Sequence, residues 1–173
     1  MNIIVAHDLQ GVIGNKGKLP WHLKEDLAHF SSLTTNNVVI MGYQTWLSLP
    51  DKFRPLPNRI NIVLSTKNLD DRSYSKISQF PINADDVYHF DNLNGAVLFA
   101  RAARKKIFVI GGEKVYAAFL NRGMVTKIYL TLVKGVYEGD RRFPALPSNT
   151  TWNTRQTADT EDFTRFEITK EIN

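Results

Sequence analysis

The chain has 173 residues, 43% of them hydrophobic and 23% charged, which fits one folded domain and excludes extensive disorder. Its 22 Lys and Arg against 17 Asp and Glu leave a net charge of +5, as suited to a polyanionic partner (nucleic acid, a membrane surface, a phosphate-bearing cofactor) as to a solvated basic surface. With no cysteine, no apolar run near the roughly 18 residues of a membrane helix and no basic n-region in MNIIVAHDLQ, disulfides, thiolate metal sites and cysteine nucleophiles are excluded, and a cytoplasmic protein is expected.

Short Ile- and Val-rich runs at Ile3 to Ala6, Val38 to Met41, Ile60 to Leu64, Ile107 to Ile110 and Ile128 to Val133 read as buried strands. Between them, Leu23 to Leu33, Thr45 to Leu49, Leu93 to Ala103 and Glu113 to Leu120 carry helical period. Alternation of this kind predicts an α/β fold with a mostly parallel sheet flanked by helices. Lys127 to Val133 and Phe163 to Lys170 read as strands with no helix between them, so an antiparallel C-terminal edge is expected. Asn68 to Asn94 is polar and weakly periodic. The Arg101 to Lys106 cluster closes a helical pattern, where cations complement the dipole.

Four stretches could carry chemistry. In Leu19 to Phe30, Leu23, Leu27 and Phe30 form one apolar stripe at i, i+4 and i+7, and Asp26 at i+3 lies on it. The spacing therefore aims a carboxylate at the core, where it must be paired, protonated or used. In Ile107 to Tyr116 a buried strand passes through Gly111 and Gly112 into a helix, which reads as a phosphate cradle or as a tight turn. Val38 to Trp46 repeats strand, glycine and helix start, with Thr45 as a hydroxyl donor; two such junctions on one sheet rim suit a dinucleotide. In Phe53 to Arg59 two prolines stiffen the positions of Arg54 and Arg59, which suits a grip on a carboxylate or a charged surface loop. The four histidines show no metal-binding spacing, and no metal is assigned. No interleaved aromatics offer a nucleic-acid stacking platform.

Taken in order, Gly11-Val12-Ile13-Gly14, LPWHLKEDL, VIMGYQTW, PLPNRINIVLS, VIGGEKVY and IYLTLV with EGDRRFP closely resemble the dihydrofolate reductase family, in register from about Ile3 to Phe166. The resemblance implies a three-layer fold with a mixed, mostly parallel eight-stranded sheet, acting as a monomer. It implies reduction of 7,8-dihydrofolate by NADPH, with antifolates as inhibitors and no nucleic-acid or membrane partner.

By the same resemblance, Asp26 is similar to the family's single active-site carboxylate, supported by Thr131, and Trp21 to the residue that orders a water. Ile4, Leu27, Phe30, Leu56, Ile110 and Tyr116 resemble the walls around the pterin and aminobenzoyl groups. Arg59, with Arg54 nearby, resembles the arginine that grips the glutamate α-carboxylate. Ala6, Ile13, Gly14, Lys18 and Leu19 resemble the nicotinamide contacts and mobile loop. Gly111 and Gly112 resemble the family's cis diglycine, followed by Glu113, Lys114, Val115 and Tyr116 at the pyrophosphate. Gly42, Gln44, Thr45, Leu64, Ser65 and Thr66 fall at phosphate and adenosine positions.

Tyr43 and Gln44 stand where relatives carry cations, which weakens grip on the 2′-phosphate, while Lys114 and Thr66 still favour NADPH over NADH. Glu113 replaces a glycine, and Arg141 and Arg142 are placed to compensate its charge. The riboflavin-pathway reductases share the architecture but lack the LPWxLxxDL and PLPNR features. A catalytically silent binding module of the same fold is a third reading, against which intact Asp26, Trp21, Arg59 and Thr131 argue.

Overall fold

A computed structural model describes residues 1–66 and 86–171. In chain order the elements are β1 (Asn2–His7), β2 (Val12–Gly14), α1 (Lys24–Thr34), β3 (Val38–Gly42), α2 (Tyr43–Ser48), a 3-10 turn (Asp51–Phe53) and β4 (Ile60–Leu64). They continue with β5 (Val87–Phe90), α3 (Leu93–Ala102), β6 (Ile107–Gly111), α4 (Glu113–Asn121), β7 (Lys127–Val133), β8 (Arg141–Arg142), β9 (Trp152–Asp159) and β10 (Phe163–Lys170).

Eight strands form one sheet in the order β5-β4-β3-β6-β1-β7-β10-β9. Pairing is parallel from β5 to β7 and antiparallel across β7-β10-β9. The fold is thus the expected mixed sheet with flanking helices and an antiparallel edge. Its interior strands are apolar on both faces because helices cover both: Val38 and Ile40 pack with Ile60 and Ile62 on one side, while Val39, Met41 and Val63 pack with Trp46 on the other.

The helices are held by their apolar stripes. On α3, Ala96, Val97 and Ala100 are buried at i, i+1 and i+4, while Leu98 faces outward. Asn92 starts this helix by accepting a hydrogen bond from the Gly95 amide at 2.8 Å. On α4 the buried residues are Tyr116, Phe119 and Leu120.

Three features depart from the sequence expectation. β9 sits between β7 and β10 in the chain and forms the sheet edge; its side chains are mostly exposed and polar, so it lacks an apolar alternation to announce it. The weakly periodic stretch Asn68 to Asn94 ends in β5 and the start of α3, and residues 68–85 lie outside the described residues. A separate two-stranded pairing, β2 with β8, clips the segment after β1 to the segment after β7.

Candidate active site

The cleft at the N-terminal end of α1 is lined by Leu19, Trp21, His22, Leu23, Asp26 and Leu27. Asp26, Leu27 and Phe30 share one face of α1, as their spacing requires, and Leu23 is the residue at its N-cap. The face does not enter the core: Thr34 is the only fully buried residue of α1, and Leu27 is 45% exposed. Leu23, Asp26 and Leu27 of the stripe line an open cleft instead.

Asp26 is partly buried, and its Oδ1 accepts a 2.6 Å hydrogen bond from the Thr131 hydroxyl. Thr131 is buried on β7, in register with Ala6 of β1 and Arg165 of β10. Asp26 Oδ2 receives no donor among the described residues, which leaves one carboxylate oxygen for a ligand. Trp21 meets the Tyr137 ring edge-on at 5.2 Å, and its buried Nε1 has no partner among the described residues. Arg165 donates from Nη2 to the Glu25 carbonyl at 2.9 Å. Burial first, and then the Arg165 charge, hold the His29 imidazole below its ordinary value, with Asp26 and Glu167 pulling the other way.

Along the cleft, Phe30 and Ile110 pack against the cluster containing buried Leu56. Ile4 on β1 is buried, and its carbonyl accepts the Tyr116 hydroxyl at 2.9 Å. Burial pushes the Tyr116 phenol well up. Arg59 is buried and tied to the end of α1: its Nε donates to Thr34 Oγ1 at 2.9 Å, and its Nη2 to Ser31 Oγ at 3.2 Å and Thr35 Oγ1 at 3.3 Å. The loop is shaped by Asn61, buried on β4, whose side chain accepts from the Leu56 amide and donates to the Leu56 and Arg59 carbonyls, each at 3.0 Å. Arg54, after which the Arg54-Pro55 peptide is cis, turns to Asp51 at 2.8 Å.

Beside this cleft the ends of three parallel strands converge, with Gly42 in register with Leu64 and Met41 with Gly111. The Gly111-Gly112 peptide is cis, and Gly111 has φ +126°, a region that favours glycine. A Cβ at Gly42 would lie 3.0 Å from Val115 Cγ2, and one at Gly112 would lie 3.2 Å from Thr45 Oγ1, so the two junctions press against each other. Gly112 offers no side chain to cap α4, which leaves its first amides for an external acceptor.

Lys114 and Gln44 are exposed near this junction, and Ser65 follows β4 with its amide on the Phe90 carbonyl. Thr66 is the last described residue of that segment and is exposed. Ala6 and Ile13 are half-buried, the Gly14 carbonyl accepts the Asp140 amide at 3.0 Å, and Lys18 closes a turn with Asn15. The expected compensation of Glu113 takes another form. Glu113 Oε2 accepts from the Arg142 backbone amide at 3.3 Å, while the Arg142 guanidinium goes to the Gln10 carbonyl and Arg141 to Asp140. Both guanidinium groups are thus engaged by Gln10 and Asp140 and not by Glu113.

Sequence reasoning missed Asp8, which is fully buried. Its Oδ1 accepts from the Gln10 and Val12 amides at 2.9 and 2.8 Å, and its Oδ2 from the Tyr137 amide at 2.8 Å. Desolvation pushes this carboxyl up, but the Tyr137, Val12 and Gln10 amides and the Arg142 charge outweigh it and hold the carboxyl below its ordinary value. The Asp8 to Gly11 turn was a readable signal for the local bonds, whereas the bond to Tyr137 spans 129 positions.

Residues 1–171 match the family described as Dihydrofolate reductase. The chain belongs to the dihydrofolate reductase family. Among named relatives, the dihydrofolate reductase of Candida albicans is 35% identical over 129 residues, covering 70% of this chain and 62% of the relative. The dihydrofolate reductase of Staphylococcus aureus strain MSSA476 is 33% identical over 145 residues, 83% of this chain and 77% of the relative. The chain thus aligns with less than two thirds of the yeast protein's length and with about three quarters of the bacterial one.

Membership in the dihydrofolate reductase family implies a nicotinamide cofactor. The start of α4 suits its phosphates, since no side chain caps the first amides of that helix. Among the described residues no helix is long and apolar enough to cross a membrane.

Proposed function

We propose that this chain is a single-domain, monomeric, cytoplasmic enzyme that reduces 7,8-dihydrofolate to 5,6,7,8-tetrahydrofolate with NADPH. The observation that carries the reading is Asp26, the one carboxylate among the residues that line the cleft, with Thr131 on one oxygen and no donor from the described residues on the other. A carboxylate so placed holds a planar ring that presents adjacent N–H donors, and in this reading it accepts from the pterin 2-amino group and ring N3.

Bound NADPH supplies the hydride that the pterin receives at C6. Ala6, Ile13, Gly14, Lys18 and Leu19 flank the nicotinamide, and Gly42, Gln44, Thr45, Leu64, Ser65, Thr66 and Gly111 to Tyr116 take its phosphates and adenosine. Lys114 and Thr66 favour NADPH over NADH. Ile4, Leu27, Phe30, Leu56 and Ile110 exclude water around the pterin and aminobenzoyl groups, which strengthens the Asp26 contact. Tyr116 packs behind them, fixed to the Ile4 carbonyl. Trp21, whose buried Nε1 has no partner among the described residues, would help order a water that carries the proton to pterin N5, because Asp26 engages the other side of the ring. Arg59, preset by Thr34, Ser31 and Thr35, takes the glutamate α-carboxylate, with Arg54 near the same tail. What these residues add is chiefly proximity and orientation.

The test is NADPH oxidation by the folded protein with and without dihydrofolate. Oxidation that requires dihydrofolate, runs slower with NADH and is blocked by antifolates is the expected result. No turnover with either cofactor would remove the reading.

A further inference from the structure

The Trp21 indole lines the same cleft as Asp26, and the ring packed against it comes from outside that lining. Its neighbour is Tyr137, which meets it edge-on at 5.2 Å with ring planes at 69°. Tyr137 lies in the segment between β7 and β8, outside any regular ladder, so its place depends on other contacts. The Tyr137 ring covers Gly135, whose Cβ position would lie 3.5 Å from Tyr137 Cε2. The Tyr137 backbone amide donates to Asp8 Oδ2 at 2.8 Å.

The two oxygens of Asp8 have separate tasks. Oδ1 accepts the Gln10 and Val12 amides and closes the turn between β1 and β2, while Oδ2 alone reaches the far segment. A fully buried carboxylate is costly unless its oxygens are satisfied, and here three backbone amides satisfy them. A local turn needs Oδ1 only. The second oxygen is therefore left over from the turn and committed to Tyr137.

We propose that Asp8 is a positioning residue for the active site, acting through the Tyr137 amide and the Tyr137 ring to place the Trp21 indole beside Asp26. The kinetic half of this inference rests on the proposed dihydrofolate reduction; the structural half does not. Asp8→Asn separates the two tasks of Asp8, because the amide oxygen still serves Gln10 and Val12 while its NH2 group meets the Tyr137 N–H as donor against donor.

The experiment labels the three tryptophans with fluorotryptophan and follows them by fluorine NMR in wild type, Asp8→Asn, Tyr137→Leu and the double variant, alongside steady-state turnover. The Trp21 resonance shifts or broadens in Asp8→Asn and Tyr137→Leu while those of Trp46 and Trp152 hold. kcat falls by about tenfold in each single variant, the order expected for a small misplacement, and the double variant loses no more than Tyr137→Leu alone. If Asp8→Asn fails to fold, Tyr137→Leu alone must still move the Trp21 resonance. An unmoved Trp21 resonance with wild-type kcat, or fully additive losses, would overturn the proposal. A wild-type protein without turnover would instead remove the activity reading, and the fluorine resonance would then decide the placement by itself.

Discussion

Asp26 shows how one side chain acquires a function from its two oxygens. Thr131 fills one lobe at 2.6 Å and fixes the carboxylate plane, so the other oxygen meets a ligand in a preset direction. Asp26→Asn keeps the shape, loses the charge and turns one acceptor into a donor. Dihydrofolate turnover is expected to fall by about 10²-fold or more with an unchanged circular dichroism spectrum; near-wild-type turnover in the steady-state assay would take Asp26 out of the role.

Asp26 was legible because helical spacing put it on an apolar stripe, although that stripe lines a cleft and not the core. Leu27 is the clearest sign: an apolar residue of that stripe, it is 45% exposed. Asn61 and Asp8 were not legible. Asn61 looks like a polar interruption in INIVL until the Leu56 to Arg59 loop folds over it, and Asp8 looks like a turn residue until Tyr137 arrives from 129 positions away.

At the scale of elements, the four helices and strands β1, β3, β4, β6, β7 and β10 followed from period and composition, while β5 lay in the weakly periodic stretch Asn68 to Asn94. β9 and β8 escaped that logic. Their side chains are largely exposed, so what holds them is backbone pairing to β10 and β2, which leaves no trace in hydropathy. The β2-β8 clip also explains Gly139. A Cβ there would lie 2.1 Å from Val12 Cγ1 and 2.8 Å from the Gly14 carbonyl oxygen, and Val12 is fully buried. Gly139→Ala must therefore push β8 off β2, with an expected loss in Tm of about 5 °C. Because the clip carries Gly14 and the segment leading to Trp21, turnover should fall as well. A thermal melt and a rate assay on the variant check both, and an unchanged Tm would contradict the contact.

At the scale of the molecule, the charge distribution gives stability a defined pH window. Asp8, Asp159 and Glu167 are held below ordinary carboxylate values, so the unfolded chain binds more protons in acid, and stability present above about pH 4 is lost as pH falls through the lower folded values. His29, also held low, adds a loss that begins below about pH 6.5 because only the unfolded imidazole readily takes the proton. At the alkaline end, the Tyr116 phenol is pushed up, so the unfolded tyrosine ionises first and stability falls above about pH 10. The Lys127 ammonium, raised by its Glu167 and Tyr129 partners against desolvation, loses its contribution in the same direction. Tm against pH should therefore form a plateau near neutrality with a fall on each side, and Tyr116→Phe should soften the alkaline fall. A flat profile down to pH 3 would contradict the carboxylate assignments.

The net charge of +5 accounts for little of this, since in the proposed reading Arg59 and Lys114 are among the few cations assigned to the two anionic ligands. In that reading the functional content lies in the juxtaposition of cofactor-binding glycine junctions at the strand ends with the Asp26 cleft on α1. The direct test of that juxtaposition is the fate of a deuterium carried at C4 of the nicotinamide of NADPH. With the protein and 7,8-dihydrofolate, the label from one face of the ring should appear at C6 of tetrahydrofolate. Oxidation of NADPH with the label lost to water, or no labelled tetrahydrofolate at all, would contradict the account.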